Sequence, residues 1–180
     1  MQIDRLSLRG FRNYEDTQAQ FVPGVNLLVG GNANGKTNLL EAVSYLSTGR
    51  SFRTRREAEL IRFGADFAEL RAQVQSQERT RELRAVLFSG RRPRQLWLAG
   101  VRQRSRAALS GVLTSVLFCP EDLMILKKGA AGRRRLMDGV ICQLRPNYEA
   151  ALAEYGRLLD QKSALLRERY DNPSAGPAGV

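Results

Sequence analysis

The sequence predicts an α/β fold organised around a phosphate-binding loop. Three consecutive features point to it. Residues 25–29 (VNLLV) are a short apolar run ending in glycine, residues 30–37 read GGNANGKT, and from Lys36 onward apolar residues recur at helical spacing. A buried strand that feeds a glycine-rich turn and then a helix brings backbone N–H groups and a helix N-terminus to bear on one anion.

The remaining elements follow in chain order. Residues 2–8 (QIDRLSL) alternate apolar and polar, as a half-buried strand does. Residues 9–14 (RGFRNY) read as a turn, and residues 21–24 (FVPG) as another, with Pro23 beside Gly24. Leu39, Leu40, Ala42, Val43 and Leu46 predict a helix from about residue 36 to 47, ended near Gly49. Alternating stretches at 67–74, 82–88 and 95–98, with turns at Gly90 and Gly100, predict an antiparallel β region with arginine-rich connections. Residues 112–119 form a further apolar strand candidate, after which Pro120 opens PEDLMILKKG. A helix over 132–144 would carry Leu136, Val140, Ile141 and Leu144 on one face. A longer helix over 147–170 would carry Tyr148, Leu152, Tyr155, Leu158, Leu159, Leu165 and Leu166. Residues 171–180 (DNPSAGPAGV) lose periodicity and are expected to be a disordered tail.

Each residue of the octet has a chemical reason to be there. Gly30 and Gly35 let the backbone curl so that successive N–H groups, including those of Gly31, Asn32, Ala33 and Asn34, point inward at phosphate oxygens. Lys36 has the reach to meet β- and γ-phosphates, and the Thr37 hydroxyl suits Mg²⁺. The helix that begins here adds its positive end. The chain is therefore expected to bind the phosphates of a nucleoside triphosphate.

Composition narrows the classes further. The 180 residues suit one domain of ordinary size. No run of 18 or more apolar residues occurs, so no transmembrane helix is expected, and the N-terminus lacks signal-peptide character, which suggests a cytoplasmic protein. There is no histidine, which excludes histidine acid–base chemistry. Cys119 and Cys142 cannot close a zinc site by themselves and read as buried thiols. The net charge is +11, and 25 of the 29 basic residues are arginine. They cluster at Arg50, Arg53, Arg55 and Arg56; at Arg91, Arg92 and Arg94; at Arg102, Arg104 and Arg106; and at Lys127, Lys128, Arg133, Arg134 and Arg135. Arginine pairs bidentately with phosphate, so a pI of about 10.6 with this clustering favours a polyanion such as DNA, bound without base-sequence preference.

Longer stretches carry a family resemblance. The run GGNANGKTNLLEA, with Asn32 in the loop and NLLEA after Lys36-Thr37, resembles SMC and ABC-type ATPases. The start of the chain, with FRNY at 11–14, the stretch SFRTRREAELIRFG at 51–64, and FCPEDLMILKKGAAGRRRLMD at 118–138 resemble the RecF family of bacterial recombination and replication-repair ATPases, from residue 1 to about 170. Ala130, Ala131 and Leu136 depart from that family's pattern, as does length, since the family's chains are roughly twice as long. A second-half acidic strand and signature helix have no counterpart here: Leu109-Ser110-Gly111 lacks the signature's continuation, and VLFCPED at 116–122 fits the Pro-Glu-Asp-Leu stretch better.

The resemblance implies an α/β phosphate-loop NTPase of the ABC/SMC head type, N-terminal lobe, with the start of a helical arm. It places an ATP-binding lobe at 1–125 and the arm at 126–170. It implies ATP and Mg²⁺ as cofactors, Arg12 and Asn13 flanking the nucleotide, and Thr37 on the metal. It further implies a DNA clamp acting at gaps, an ATP-dependent homodimer, RecO/RecR-type mediator partners, and roles in repair, replication and the SOS response. A chain of this length is expected to be an N-terminal half that binds ATP without significant turnover. Two other readings stay open at this point: a DNA-binding fragment with an inactive phosphate loop, and a small phosphate-loop kinase.

Overall fold

The computed structural model describes residues 1–76, 79–109, 111–120, 122 and 129–171. Ser110, Glu121, Leu123, Lys127, Lys128, the boundary expected near 125 and residues 172–180 of the expected tail lie outside the described residues.

Alternation builds the sheet. Strands β1 (Gln2–Phe11), β2 (Tyr14–Gln20), β3 (Phe67–Ser76), β4 (Arg79–Phe88), β5 (Gln95–Leu98) and β6 (Val101–Gln103) pair antiparallel in the order β2-β1-β3-β4-β5-β6. With a side-chain period of two, Leu6 and Leu8, then Ala68, Leu70, Ala72 and Val74, then Leu83, Ala85 and Leu87, then Leu96 fall on one buried face. Helix α1 (Lys36–Thr48) covers that face with Leu39, Ala42, Tyr45 and Leu46. Each leucine so buried contributes about 1.5–3 kcal/mol. The helix ends at Gly49, whose left-handed backbone (φ 64°) lets its N–H donate to Tyr45 O at 2.7 Å. Arg94 then donates to Gly49 O at 3.0 Å, setting a cation at the negative end of α1.

Two helices follow, α2 (Gly129–Leu144) and α3 (Pro146–Asp171). They are tied to the lobe at few points. Ser47 Oγ donates to Gln143 Oε1 (3.1 Å), Gln143 Nε2 donates to Ser115 O (3.1 Å), and Arg106 forms an ion pair with the buried Glu149. Beyond Glu149 most of α3 is exposed, including Tyr155, Leu158, Leu159, Leu165 and Leu166. The apolar stripes expected on these helices therefore exist, but most of their side chains are uncovered. No helix among the described residues is long and apolar enough to cross a membrane.

Several expectations need correction. Residues 25–29 form no strand and pair with none among the described residues. Leu28 packs on the core, whereas Val25, Leu27 and Val29 are 91%, 83% and 82% exposed. An apolar run supplies propensity, but a strand also needs a neighbour for its N–H and C=O groups, and no described segment supplies one here. The same holds for the strand expected at 112–119: Val112 and Leu113 are buried, then the chain runs unpaired with Val116 and Phe118 exposed. The turn expected at 9–14 shrinks to Arg12 and Asn13, because β1 continues to Phe11 and pairs with Tyr14. β2 (YEDTQAQ) and β6 (VRQ) escaped sequence reading because they are polar edge segments with little alternation. Cys119 and Cys142 are half-buried, not buried.

Leu70 is fully buried on the central strand β3. Leu70→Ala is expected to lower stability by about 2–5 kcal/mol, since the cavity adds to the lost transfer energy. Urea unfolding followed by far-UV circular dichroism checks this, and an unchanged midpoint would contradict the placement of the core.

Candidate nucleotide-phosphate site

The phosphate loop wraps the N-terminus of α1. Gly35 is the helix N-cap, in left-handed backbone (φ 93°), and no side chain caps the first turn. An ordinary N-cap would spend a Ser, Thr or Asp oxygen on those amides. A glycine leaves them for a ligand, at the positive end of the helix. A side chain here would be strained by that φ, and its Cβ, 2.6 Å from Asn13 Nδ2 and 2.7 Å from Asn13 Oδ1, would displace the Asn13 amide. Ala33 also holds a positive φ of 66°, a cost of about 1 kcal/mol for a non-glycine residue that helps shape the loop tip.

Lys36 curls back over the loop. Its Nζ donates to Gly30 O (2.7 Å) and Gly31 O (2.6 Å), which fixes the ammonium above the loop and ahead of the helix amides. Thr37 is exposed on the first turn. Gly30, Gly31, Asn32, Ala33 and Asn34 are exposed as well, while Gly35 is buried beneath them. One cation, a run of backbone N–H groups and a hydroxyl thus share one exposed loop at the N-terminus of α1, a set of groups whose chemistry fits a polyphosphate with a divalent cation.

The turn between β1 and β2 closes the far side. Arg12 takes a positive φ of 52°, so the hairpin can present three consecutive residues to the loop region. Tyr14 Oη donates to Gly35 O (3.1 Å), and burial pushes its hydroxyl pKa up, which keeps it a donor. Asn13 Oδ1 accepts from Asn38 Nδ2 (2.8 Å) beside Gly35. Arg12 turns to Glu41: its Nε and Nη2 reach Oε2 and Oε1 at 2.9 and 2.8 Å, and its Nη1 donates to Glu59 O at 2.7 Å.

Glu41 is the residue that sequence reading missed. It lies one turn beyond Thr37 and is completely buried. Besides Arg12 it accepts from Ser51 Oγ (2.5 Å) and Arg53 Nη1 (3.4 Å), and Arg53 Nη1 also donates to Asn38 Oδ1 (2.7 Å). Burial alone would raise the carboxyl pKa. The hydrogen bonds from Arg12 and Ser51, with the charges of Arg12 and Arg53, outweigh it and hold Glu41 below its ordinary value, so it stays ionised. The available signal was a glutamate inside the apolar stripe of a helix, because a buried carboxylate demands a cationic partner.

The arginine clusters divide by role. Arg53 is drawn into the Glu41 network, Arg94 serves Gly49, Tyr45 and Glu57, and Arg106 serves Glu149. Arg50, Arg55, Arg56, Arg91, Arg102, Arg104, Arg133 and Arg134 are exposed and form no ion pair among the described residues. Arg135 is likewise exposed, its Nε 3.4 Å from Ala131 O.

Known proteins share this frame. Residues 2–92 match the family described as RecF/RecN/SMC N terminal domain. The chain is 39% identical over 169 residues to the DNA replication and repair protein RecF of Lacticaseibacillus casei, covering 93% of this chain and 45% of that protein. It is 42% identical over 167 residues to RecF of Acidothermus cellulolyticus, with 93% and 45% covered. A solved structure of the recombination mediator protein RecF with ATPrS, of the RecFOR pathway, superposes with a TM-score of 0.90 at 30% identity, covering 97% of this chain and 47% of that one. The corresponding RecF–ATP structure gives 0.89. The chain thus spans slightly less than half the length of the relatives it matches.

Breaking a buried ion pair costs about 3–5 kcal/mol, so Glu41→Gln is expected to destabilise by that order at pH 7. Because the folded-state pKa of Glu41 is depressed, its contribution is present above its ordinary value of 4.5 and is lost as pH falls through the lower folded value. The gap in melting temperature between wild type and Glu41→Gln should therefore narrow on acidification below about pH 4.5. Melting curves from pH 7 to pH 3 measure it, and a gap constant with pH would contradict an ionised Glu41.

Proposed function

This chain belongs to the RecF/RecN/SMC N terminal domain family, and from that membership we propose that it is the ATP-binding N-terminal half of a RecF-type protein of recombinational repair and replication restart. One observation carries the reading: the uncapped first turn of α1 beneath a lysine already poised over the loop. RecF structures with ATP and ATPrS share this fold at TM-scores of 0.89 and 0.90.

In this reading Gly30, Gly31, Asn32, Ala33, Asn34 and Gly35 present backbone N–H groups to the β- and γ-phosphates. Lys36 exchanges its carbonyl acceptors for phosphate oxygens, so that its ammonium meets a full negative charge in place of a carbonyl dipole. Thr37 would hold Mg²⁺ through its hydroxyl, and the ion would supply positive charge that offsets the negative charge of the triphosphate. Asn13 flanks the nucleotide from the β1–β2 turn, and Arg12 stands behind it. Arg12 acts on the nucleotide chiefly by holding α1 through Glu41.

The chain binds ATP without significant turnover, because phosphoryl transfer needs a positioned water and charge stabilisation beyond phosphate cradling. The bare apolar segments at 25–29 and 114–119 are seats for strands from the half of the relatives' length that this chain does not span. In the full-length protein, ATP would drive a homodimer that clamps DNA at gaps in the cytoplasm, with RecO/RecR-type mediators as partners. Residues 1–125 would form the ATP lobe and 126–170 the start of the arm. DNA binding is electrostatic and indifferent to sequence, and with roughly 4 to 6 phosphate contacts the log–log salt slope is about −4 to −5.

Equilibrium dialysis with labelled ATP and Mg²⁺ tests the assignment. Lys36→Ala is expected to lose at least about tenfold in affinity, roughly 1.4 kcal/mol. Equal binding by wild type and Lys36→Ala would remove it.

A further inference from the structure

We infer that the solvent face of the six-stranded sheet, centred on Trp97, is a seat for the phosphate backbone of duplex DNA; this rests on the DNA-binding reading above and assigns its surface. Residues directly opposite in a ladder share a face. Following the pairs Ser7↔Gln18, Ser7↔Arg71, Arg71↔Arg84, Arg84↔Trp97 and Trp97↔Arg102 traces one transverse row across all six strands, on the side away from α1. Arg5 and Arg9 stand in the adjoining rows, opposite Gln73 and Glu69.

This face joins cations to aromatic rings in a repeated way. Arg84 lies 4.4 Å from the Trp97 ring centroid, Arg92 4.7 Å from Phe88, and Arg9 5.6 Å from Phe67. Phe67 and Phe88 are themselves a cross-strand pair. A guanidinium resting on a ring keeps its charge and most of its donors while losing freedom before any ligand arrives, so less entropy remains to be lost on binding. Glu69 holds Arg71 and Arg84 together, one carboxylate between two cations. Arg5 and Arg102 have no ion-pair partner among the described residues.

The simpler explanation is that arginine stems merely cover exposed rings. That accounts for the stacking but not for the charge. The rows carry Arg5, Arg9, Arg71, Arg84 and Arg102 against Asp16, Glu69 and Glu82, and the neighbouring Arg91, Arg92 and Arg104 are exposed. Geometry favours a duplex. With strands about 4.8 Å apart, Arg71 and Arg102 stand three steps, about 14 Å, from each other. That is near the ~12 Å width of the major groove, so Arg71 and Arg102, the outermost arginines of the row, can meet the two phosphate strands that border it.

Trp97 is the chain's single tryptophan, so its emission reports this face alone. The full chain is titrated with a fluorescein-labelled duplex for polarisation and with an unlabelled duplex for Trp97 emission, at several salt concentrations. The expected result is one shared midpoint, with the salt slope reduced by about 0.9 for each of Arg5→Gln and Arg102→Gln. Neither of these residues holds an ion pair among the described residues, and unchanged circular dichroism verifies folding. Duplex binding that leaves Trp97 emission and both variants unchanged would overturn this surface while the DNA-binding reading stands. No duplex binding at low salt would overturn both. A single strand of the same length that outcompetes the duplex would overturn the commitment to duplex.

Discussion

A carboxylate with no exposed surface sits beside the phosphate loop, and the surroundings are arranged to keep it ionised. Glu41 is carried by α1, yet its partners come from the β1–β2 hairpin (Arg12) and from the segment after α1 (Ser51, Arg53). An unpaired buried charge is prohibitively costly, so these three segments can pack only in the arrangement that brings the guanidinium groups to it. That arrangement also sets Asn13 and Tyr14 against Gly35, and so decides how the N-terminus of α1 is presented. Asn38, bonded to both Asn13 and Arg53, links the network to the first turn of the helix.

The same constraint explains why the loop can be both exposed and well defined. Residues 30–34 are uncovered and make few contacts of their own. Their shape is imposed from below, where Gly35 is buried between the helix and the Asn13 side chain, and from above by Lys36 bridging two carbonyls. In the reading proposed above, a polyphosphate would meet donors already in place, and the lysine would need only to change acceptors. At the far end of α1, Arg94 caps the last turn and Gln143 bonds Ser47, so the helix is anchored at both ends.

What could be read in the sequence was what is local. The octet at 30–37 and the stripe of α1 are contiguous, and they were legible. So were the alternating cores of β3, β4 and β5, because burial of one face imposes a period of two. The Glu41 network was not legible as such, since Arg12 lies 29 residues from Glu41 and chemistry alone does not say which of 25 arginines answers it. The strands expected at 25–29 and 112–119 fail for a related reason: apolarity is local, but a ladder needs a partner, and the described residues hold none for them. Polar β2 succeeds without the pattern because β1 offers it a full set of hydrogen bonds.

If Glu41 presets the phosphate site, disturbing it must loosen nucleotide contacts that it never touches. The direct measurement is amide NMR of the ¹⁵N-labelled chain titrated with ATP and Mg²⁺, in wild type and in Glu41→Gln under conditions where both remain folded. In wild type the amides of Gly31, Gly35, Lys36 and Thr37 should shift together at one midpoint and carry Asn13 and Asn38 with them. In Glu41→Gln the same amides should be broadened before nucleotide is added and should require more of it to shift. Identical spectra around the loop and identical midpoints in the two proteins would contradict the claim that the buried carboxylate organises the site.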